Sequence, residues 1–160
     1  MPDECPFCGL PDDEVIVREG PCLAIWTGET PIGSAMVLPV RHVVAPWELD
    51  DEEWAATRTL LARLRYAITA EHAPDGWNVG WNVGTVGGQT VPHAHCHLVP
   101  RYADETYAGR GLRWWFKQEI NRAGSGDRAT TSPTQRTTSP HSTDHKPPLN
   151  GGGGLAGRAG

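Results

Sequence analysis

His93, His95 and His97 occupy every second position of one short run, Val91-Pro92-His93-Ala94-His95-Cys96-His97-Leu98-Val99. In an extended chain alternate side chains share a face. The three imidazoles would project from one side, and Ala94, Cys96 and Leu98 from the other. Such a row has two chemical uses. One is metal coordination, since imidazole suits Zn, Cu and Ni. The other is nucleophilic catalysis supported by hydrogen-bonding neighbours. Geometry favours the second for the set as a whole. Residues two apart on a strand lie about 6.5–7 Å apart, whereas nitrogen ligands on one zinc must converge to about 3.3 Å. One or two could converge with bending, but three on a regular strand would be strained. Cys5-x-x-Cys8 is a separate candidate. By itself it fits a redox pair, half a zinc site or chance, and the βαβ context of a thioredoxin-like pair is missing here.

The elements that must position these residues are readable from pattern. Val15 to Val17 and Cys22 to Trp26 read as short strands, followed by a turn-rich loop, Thr27 to Gly33. Ala35 to Leu38 reads as a buried strand that stops at Pro39. Residues 48–72 form the clearest helix, with capping-box spacing between Asp50 and Glu53. Trp54, Leu61, Leu64 and Ile68 fall on one face of it as a core stripe. The run from Trp77 to Val83 alternates strictly: Trp77, Val79, Trp81 and Val83 face the core, and Asn78, Gly80 and Asn82 face away. Gly84 to Gly88 suits a hairpin connection, which would put Asn82 on the surface of the three histidines. Arg101, Arg110 and Arg113 near Trp114-Trp115-Phe116 read as a terminal helix packed on the sheet, in preference to a cationic lip.

The stretch from Gly76 to Tyr102, above all Gly87-Gly88-Gln89-Thr90-Val91-Pro92-His93-Ala94-His95-Cys96-His97-Leu98-Val99-Pro100-Arg101-Tyr102, resembles the signature of the histidine-triad (HIT) superfamily. That signature is His-φ-His-φ-His-φ-φ, with φ apolar, and all seven positions fit. The resemblance extends through Cys5-Pro-Phe-Cys8, Met36 to His42 and the helix, over about residues 5–120. It implies an α+β fold, an antiparallel sheet with one main helix and a C-terminal element packed on it, and a homodimer. It implies that His95 attacks the α-phosphorus of a nucleotide derivative. A covalent nucleotidyl-histidine forms, and water then releases a monophosphate. His97 would stabilise charge on a phosphate oxygen. Asn82 matches the phosphate-side amide, and Gln89 and Thr90 match polar residues beside the scissile bond. A His rather than Gln at residue 97 resembles the hydrolase branches, with nucleotidyl transfer or phosphorolysis as the alternative. Pro100-Arg101-Tyr102 resembles members acting on dinucleoside polyphosphates. The resemblance also implies a structural zinc on Cys5, Cys8, His42 and His93, so that only His93 of the triad would ligate metal. Cys22 and Cys96 read as core residues.

Two positions depart from the family pattern. Ser34 stands where an outer histidine is usual, and Trp26 where many members carry a ribose-binding acid. A Trp cannot accept a hydrogen bond. Thr27 or Glu29 is the nearby polar alternative, and a nucleotide-binding module with little turnover is the reading these departures favour.

Composition narrows the partners. Residues 1–122 carry 10 Lys/Arg and 17 Asp/Glu, a net charge of −7. An acidic body argues against nonspecific nucleic-acid binding. No apolar stretch is long enough for a transmembrane helix, and Met-Pro-Asp-Glu-Cys-Pro is no signal peptide. A reducing cytoplasm is the expected setting for the four cysteines. Residues 123–160 are rich in Ser, Thr, Pro and Gly and read as a disordered tail beside a 1–122 domain.

Overall fold

Local pattern and observed elements agree closely in the first third of the chain. The structure, a computed structural model, describes residues 5–28 and 31–123. β1 (Val15–Glu19) turns at Gly20 into β2 (Cys22–Trp26), and β3 (Ala35–Pro39) follows. α1 (Asp51–His72) has Asp50 as its N-cap. The Asp50 carboxylate accepts from Glu53 N at 2.8 Å, and Glu53 Oε2 accepts from Asp50 N at 2.9 Å. This reciprocal pair satisfies amides that the first helical turn leaves without partners. β4 (Gly76–Trp81) and β5 (Cys96–Arg101) complete an antiparallel sheet of order β1-β2-β3-β5-β4. Two short helices, α2 (Leu112–Phe116) and α3 (Glu119–Ala123), close the described chain. The architecture is α+β, as expected. The expected disordered tail lies, beyond Ala123, outside the described residues.

One sheet face carries α1. Cys22, Ala24, Ala35, Val37, Cys96 and Leu98 bury it against Ala56, Leu60, Leu64 and Ile68. Most of the sheet residues are small, which lets the helix approach closely. The buried stripe is therefore Glu53, Ala56/Thr57, Leu60, Leu64 and Ile68. Leu60 replaces the expected Leu61 at its centre. Trp54 stays 43% exposed and meets Trp81 edge-on at 5.9 Å.

The other face is covered by Phe7, Leu10, Val15 and Met36 around buried Leu23, Ile25 and Leu38. β4 is the outer strand next to β5. Trp77 and Trp81 pack on the α1 side as alternation predicts, but Val79 on that same side is 48% exposed because no further strand covers it.

Pairing between β4 and β5 ends at Trp81 opposite Cys96. Residues 82–95 are thus a long connection rather than a tight hairpin, and His93 and His95 precede β5. Two causes are visible. Pro92 has no amide to give a ladder. Ala94 N instead donates to Val43 O at 2.6 Å, drawing the segment towards the chain after β3.

Candidate functional site

The face opposite α1 holds His97 in register, paired with Met36 on β3 and Gly80 on β4. His95 is buried, 4.8 Å from His97 between ring centroids and nearly perpendicular to it. The Phe7 ring edges onto His95 at 5.3 Å. His95 Nδ1 lies 2.7 Å from the carbonyl oxygen of His93. A carbonyl only accepts, so Nδ1 carries the proton. In the neutral ring the lone pair is then on Nε2. Backbone geometry thereby selects the tautomer a histidine nucleophile needs.

Asn82 and His97 line one cavity of about 250 Å³, closed by Val99 and by Leu112 from α2. Of the surface expected for Asn82 and the three histidines, Asn82 and His97 share this cavity, whereas His93 does not line it. The glycine turn packs on this amide: a Cβ at Gly88 would stand 3.6 Å from Asn82 Nδ2.

Gln89 is placed differently from the expectation. It is buried, its Oε1 accepts from Gly84 N at 2.8 Å, and its Nε2 donates to Val44 O at 2.8 Å. Its amide ties residues 82–95 to the segment after β3. Thr90 next to it is exposed.

Ser34 is buried, and its hydroxyl donates to Pro31 O at 2.6 Å, closing the β2–β3 turn. Trp26 pairs with Ala35, so its parity is that of the α1 face. It lines a hollow with Gly33, Glu71 and His72, on the side of the sheet away from His97. Thr27, the polar alternative, donates from both N and Oγ1 to Ser34 O. Glu29 lies outside the described residues.

His93 turns away from the other two. Cys5, Cys8, His42 and His93 offer four ligand atoms within 4.8 Å of one another. Cys5 Sγ is 3.5 Å and Cys8 Sγ 3.7 Å from His93 Nδ1, and Cys8 Sγ is 3.3 Å from His42 Nδ1. Zinc–sulfur and zinc–nitrogen bonds at the tetrahedral angle put S and N about 3.6 Å apart. The group therefore fits a tetrahedral metal. His93 Nε2 donates to Pro39 O at 2.9 Å, which leaves Nδ1 as the ligating nitrogen. Burial also holds this imidazole below its ordinary pKa and keeps it neutral. Burial and the neighbouring Cys5 thiol push the Cys8 thiol up.

His93 thus joins two sites. Its ring faces the cysteines, and its carbonyl holds His95. The segment carrying His42 is itself fixed: Arg41 donates to both oxygens of Glu53, at 3.0 and 2.7 Å. Glu48 Oε2 accepts from Val44 N and Ala45 N, and these bonds hold its carboxyl below the usual range.

Arg101, which the sequence groups with Arg110 and Arg113, has a structural role the sequence did not show. Its guanidinium donates to Asn78 Oδ1, to Glu105 Oε1, to Tyr107 O at 2.7 Å and to Arg110 O at 3.3 Å. It gathers residues 102–110 above β4 and β5. Period-2 counting from His97 would have put Val99 and Arg101 on the triad face, and register puts Val99 opposite Asn78. The terminal helix packs on the sheet as expected, but through one side chain only. α2 reaches the sheet through Leu112, which would touch a Cβ at Gly80 at 3.8 Å. Trp115 and Phe116 remain half-exposed or more. Arg110 stacks on Trp114 at 4.5 Å and on Tyr107 at 5.2 Å, as a cationic lip would.

The fold and this triad define a class. The chain belongs to the HIT domain family, whose model matches residues 12–104, more than half of the chain. It is 35% identical over 82 residues to adenosine 5′-monophosphoramidase hnt1 of Schizosaccharomyces pombe, covering 51% of this chain and 57% of that one. It is 28% identical over 103 residues to a bis(5′-nucleosyl)-tetraphosphatase (asymmetrical) of the same organism, covering 63% and 57%. The matched stretch thus spans little more than half of either relative. A solved HIT family protein from Bacillus anthracis superposes with a TM-score of 0.59 at 31% identity, over 64% of this chain and 76% of that one. No helix among the described residues is long and apolar enough to cross a membrane.

Proposed function

We propose that the chain hydrolyses a nucleotide phosphoanhydride or phosphoramidate at the α-phosphorus, with a dinucleoside polyphosphate as the first substrate to test. The observation that carries this reading is the 2.7 Å bond from His95 Nδ1 to the His93 carbonyl. Nε2 then attacks phosphorus. An N–P bond forms and the bond to the leaving group breaks, a polyphosphate departing as its anion and an amine taking a proton from solvent as it leaves. His97, at 4.8 Å from His95 between rings, and Asn82 in the same cavity hold the phosphoryl oxygens. Water next attacks phosphorus, the N–P bond breaks, and a nucleoside monophosphate leaves with the proton of the water lost to solvent. The relatives named as a phosphoramidase and a tetraphosphatase support this substrate class. Nucleotidyl transfer or phosphorolysis would share the first step and differ only in the acceptor.

Cys5, Cys8, His42 and His93 would hold a zinc of structural type, since four protein ligands leave no open position. It would fasten the N-terminal segment and residue 42 to His93, and through the His93 carbonyl fix His95. A homodimer through the uncovered β4 edge accounts for half-exposed Val79 and Trp54 on one side of that strand. The mass in solution tests it, and a monomer would contradict it.

Purified protein incubated with diadenosine tetraphosphate and with adenosine 5′-phosphoramidate should release AMP from at least one of them. Product analysis with and without inorganic phosphate separates hydrolysis from phosphorolysis. Tight nucleotide binding without turnover of either compound would favour the binding-module reading.

A further inference from the structure

A second cavity, larger than the one holding His97, lies beside it. It measures about 760 Å³, within the roughly 300–1,000 Å³ typical of small-ligand sites. Val99, Arg101, Tyr102, Tyr107, Arg110 and Trp115 line it. It adjoins the His97 cavity directly, because Val99 lines both. Val99 is two residues beyond His97 on the same strand face, about 6.5–7 Å along β5. A substrate whose phosphate sits at His97 can therefore extend into this space.

Its walls suit a planar ring. Tyr107 and Trp115 are each 50% exposed, and their ring centroids lie 5.9 Å apart, tilted by 59°. Arg110 is spent on aromatic faces, over Tyr107 and Trp114. Tyr102 Oη donates to Ile32 O at 2.9 Å and joins the opposite wall to the β2–β3 turn. The charges balance: Arg101 and Arg110 are matched by Asp104 and Glu105 in the same lining. A bare polyphosphate gains no net attraction there. A neutral nucleoside gains the face of Trp115, with the tilted Tyr107 ring beside it.

We propose that this cavity is the subsite for the second nucleoside of a dinucleoside polyphosphate, its base stacking on Trp115 with Tyr107 against the base edge. The proposal rests on the hydrolase reading above and specifies its leaving group. Arg101 acts by holding the 102–110 segment in place and does not touch the ligand. Ammonia, the leaving group of a phosphoramidate, makes no use of the subsite.

That contrast is the test. Steady-state kinetics are measured for wild type, Trp115→Ala, Trp115→Phe and Tyr107→Ala on diadenosine tetraphosphate and on adenosine 5′-phosphoramidate. Base–aromatic stacking is worth about 5- to 150-fold per base. The alanine variants should raise KM for the dinucleotide about tenfold or more and leave the phosphoramidate within twofold, and Trp115→Phe should restore most of the loss. Equal losses on both substrates, or no loss on either, overturn the subsite. So does wild type that cleaves the phosphoramidate alone, and that result spares the hydrolase reading. If wild type cleaves neither compound, the hydrolase reading fails and equilibrium binding decides the subsite. Diadenosine tetraphosphate at least tenfold tighter than AMP, with the gain lost in Trp115→Ala, supports it. Equal affinities overturn it.

Discussion

Gly33→Ala tests how rigidly the sheet is joined to α1 beneath the site. Gly33 has φ +84°, in the left-handed region. An alanine there costs about 1–2 kcal/mol in backbone conformation. Its Cβ would also stand 2.9 Å from Ile68 Cγ2 and 3.1 Å from His72 Cδ2. Ile68 is 1% exposed and packed in the main core, so it cannot retreat without disturbing Leu64 and Leu98. Overpacking of this kind adds about 1–3 kcal/mol. The total is about 2–5 kcal/mol. Gly20→Ala is the matched control, because φ is +48° and the nearest atom, Glu52 Oε1, lies at an ordinary 3.7 Å. It should show the backbone cost alone. Urea unfolding reads both, with m near 1–3 kcal/mol/M for a protein of this size. At an m of about 2 kcal/mol/M the Gly33 variant's midpoint should fall by roughly 1–2.5 M, clearly more than the control's. Equal midpoints for the two variants would refute the close contact. The substitution should also weaken turnover, since Ile32 O next door holds Tyr102.

Three further outcomes follow from the packing and the site. Leu60→Ala should cost about 2–5 kcal/mol in the same unfolding assay and Leu61→Ala clearly less, since Leu60 is fully buried and Leu61 only partly; equal costs would contradict the helix phase. Burial pushes the Cys96 thiol up to about 11. An acid raised in the folded state stabilises it below the unfolded pKa near 9 and loses that contribution as pH climbs towards 11. Wild type should therefore lose about 2–3 kcal/mol across that range relative to Cys96→Ala, and parallel pH profiles would contradict it. Elemental analysis should find about one zinc per chain in wild type and in His95→Ala and little in Cys8→Ser. Chelation should also lower kcat about tenfold, because His93 connects the ligand set to His95; full turnover without metal would refute that link.

The sheet and α1 were legible because their patterns are local. Cys22 to Trp26 is uninterrupted and apolar, and Asp50 with Glu53 marks a helix start by spacing alone. The triad was legible in spacing, but its geometry was not. Alternation predicted one face for His93, His95 and His97, and contacts far along the chain turned His93 towards Cys5 and Cys8. Those pairings span more than eighty positions, and no window of sequence contains them. Leu60 and Leu61 differ by one helical step, a difference that only the surface opposite them decides. Trp26 lies at the end of β2 just before the loop, and its register with Ala35 puts it behind the sheet. Arg101 stayed hidden because two of its four partners are backbone carbonyls of a segment without regular structure and a third, Asn78, lies on another strand.

The central claim is that His95 Nε2 becomes bonded to phosphorus. Wild type mixed with diadenosine tetraphosphate or adenosine 5′-phosphoramidate, quenched within one turnover and digested, should give a peptide containing residues 93–99 that is heavier by one adenylyl group. Fragmentation should assign the added mass to His95, and His95→Ala should show neither adduct nor turnover. An adduct on another residue, or undiminished AMP release by His95→Ala, would contradict the account.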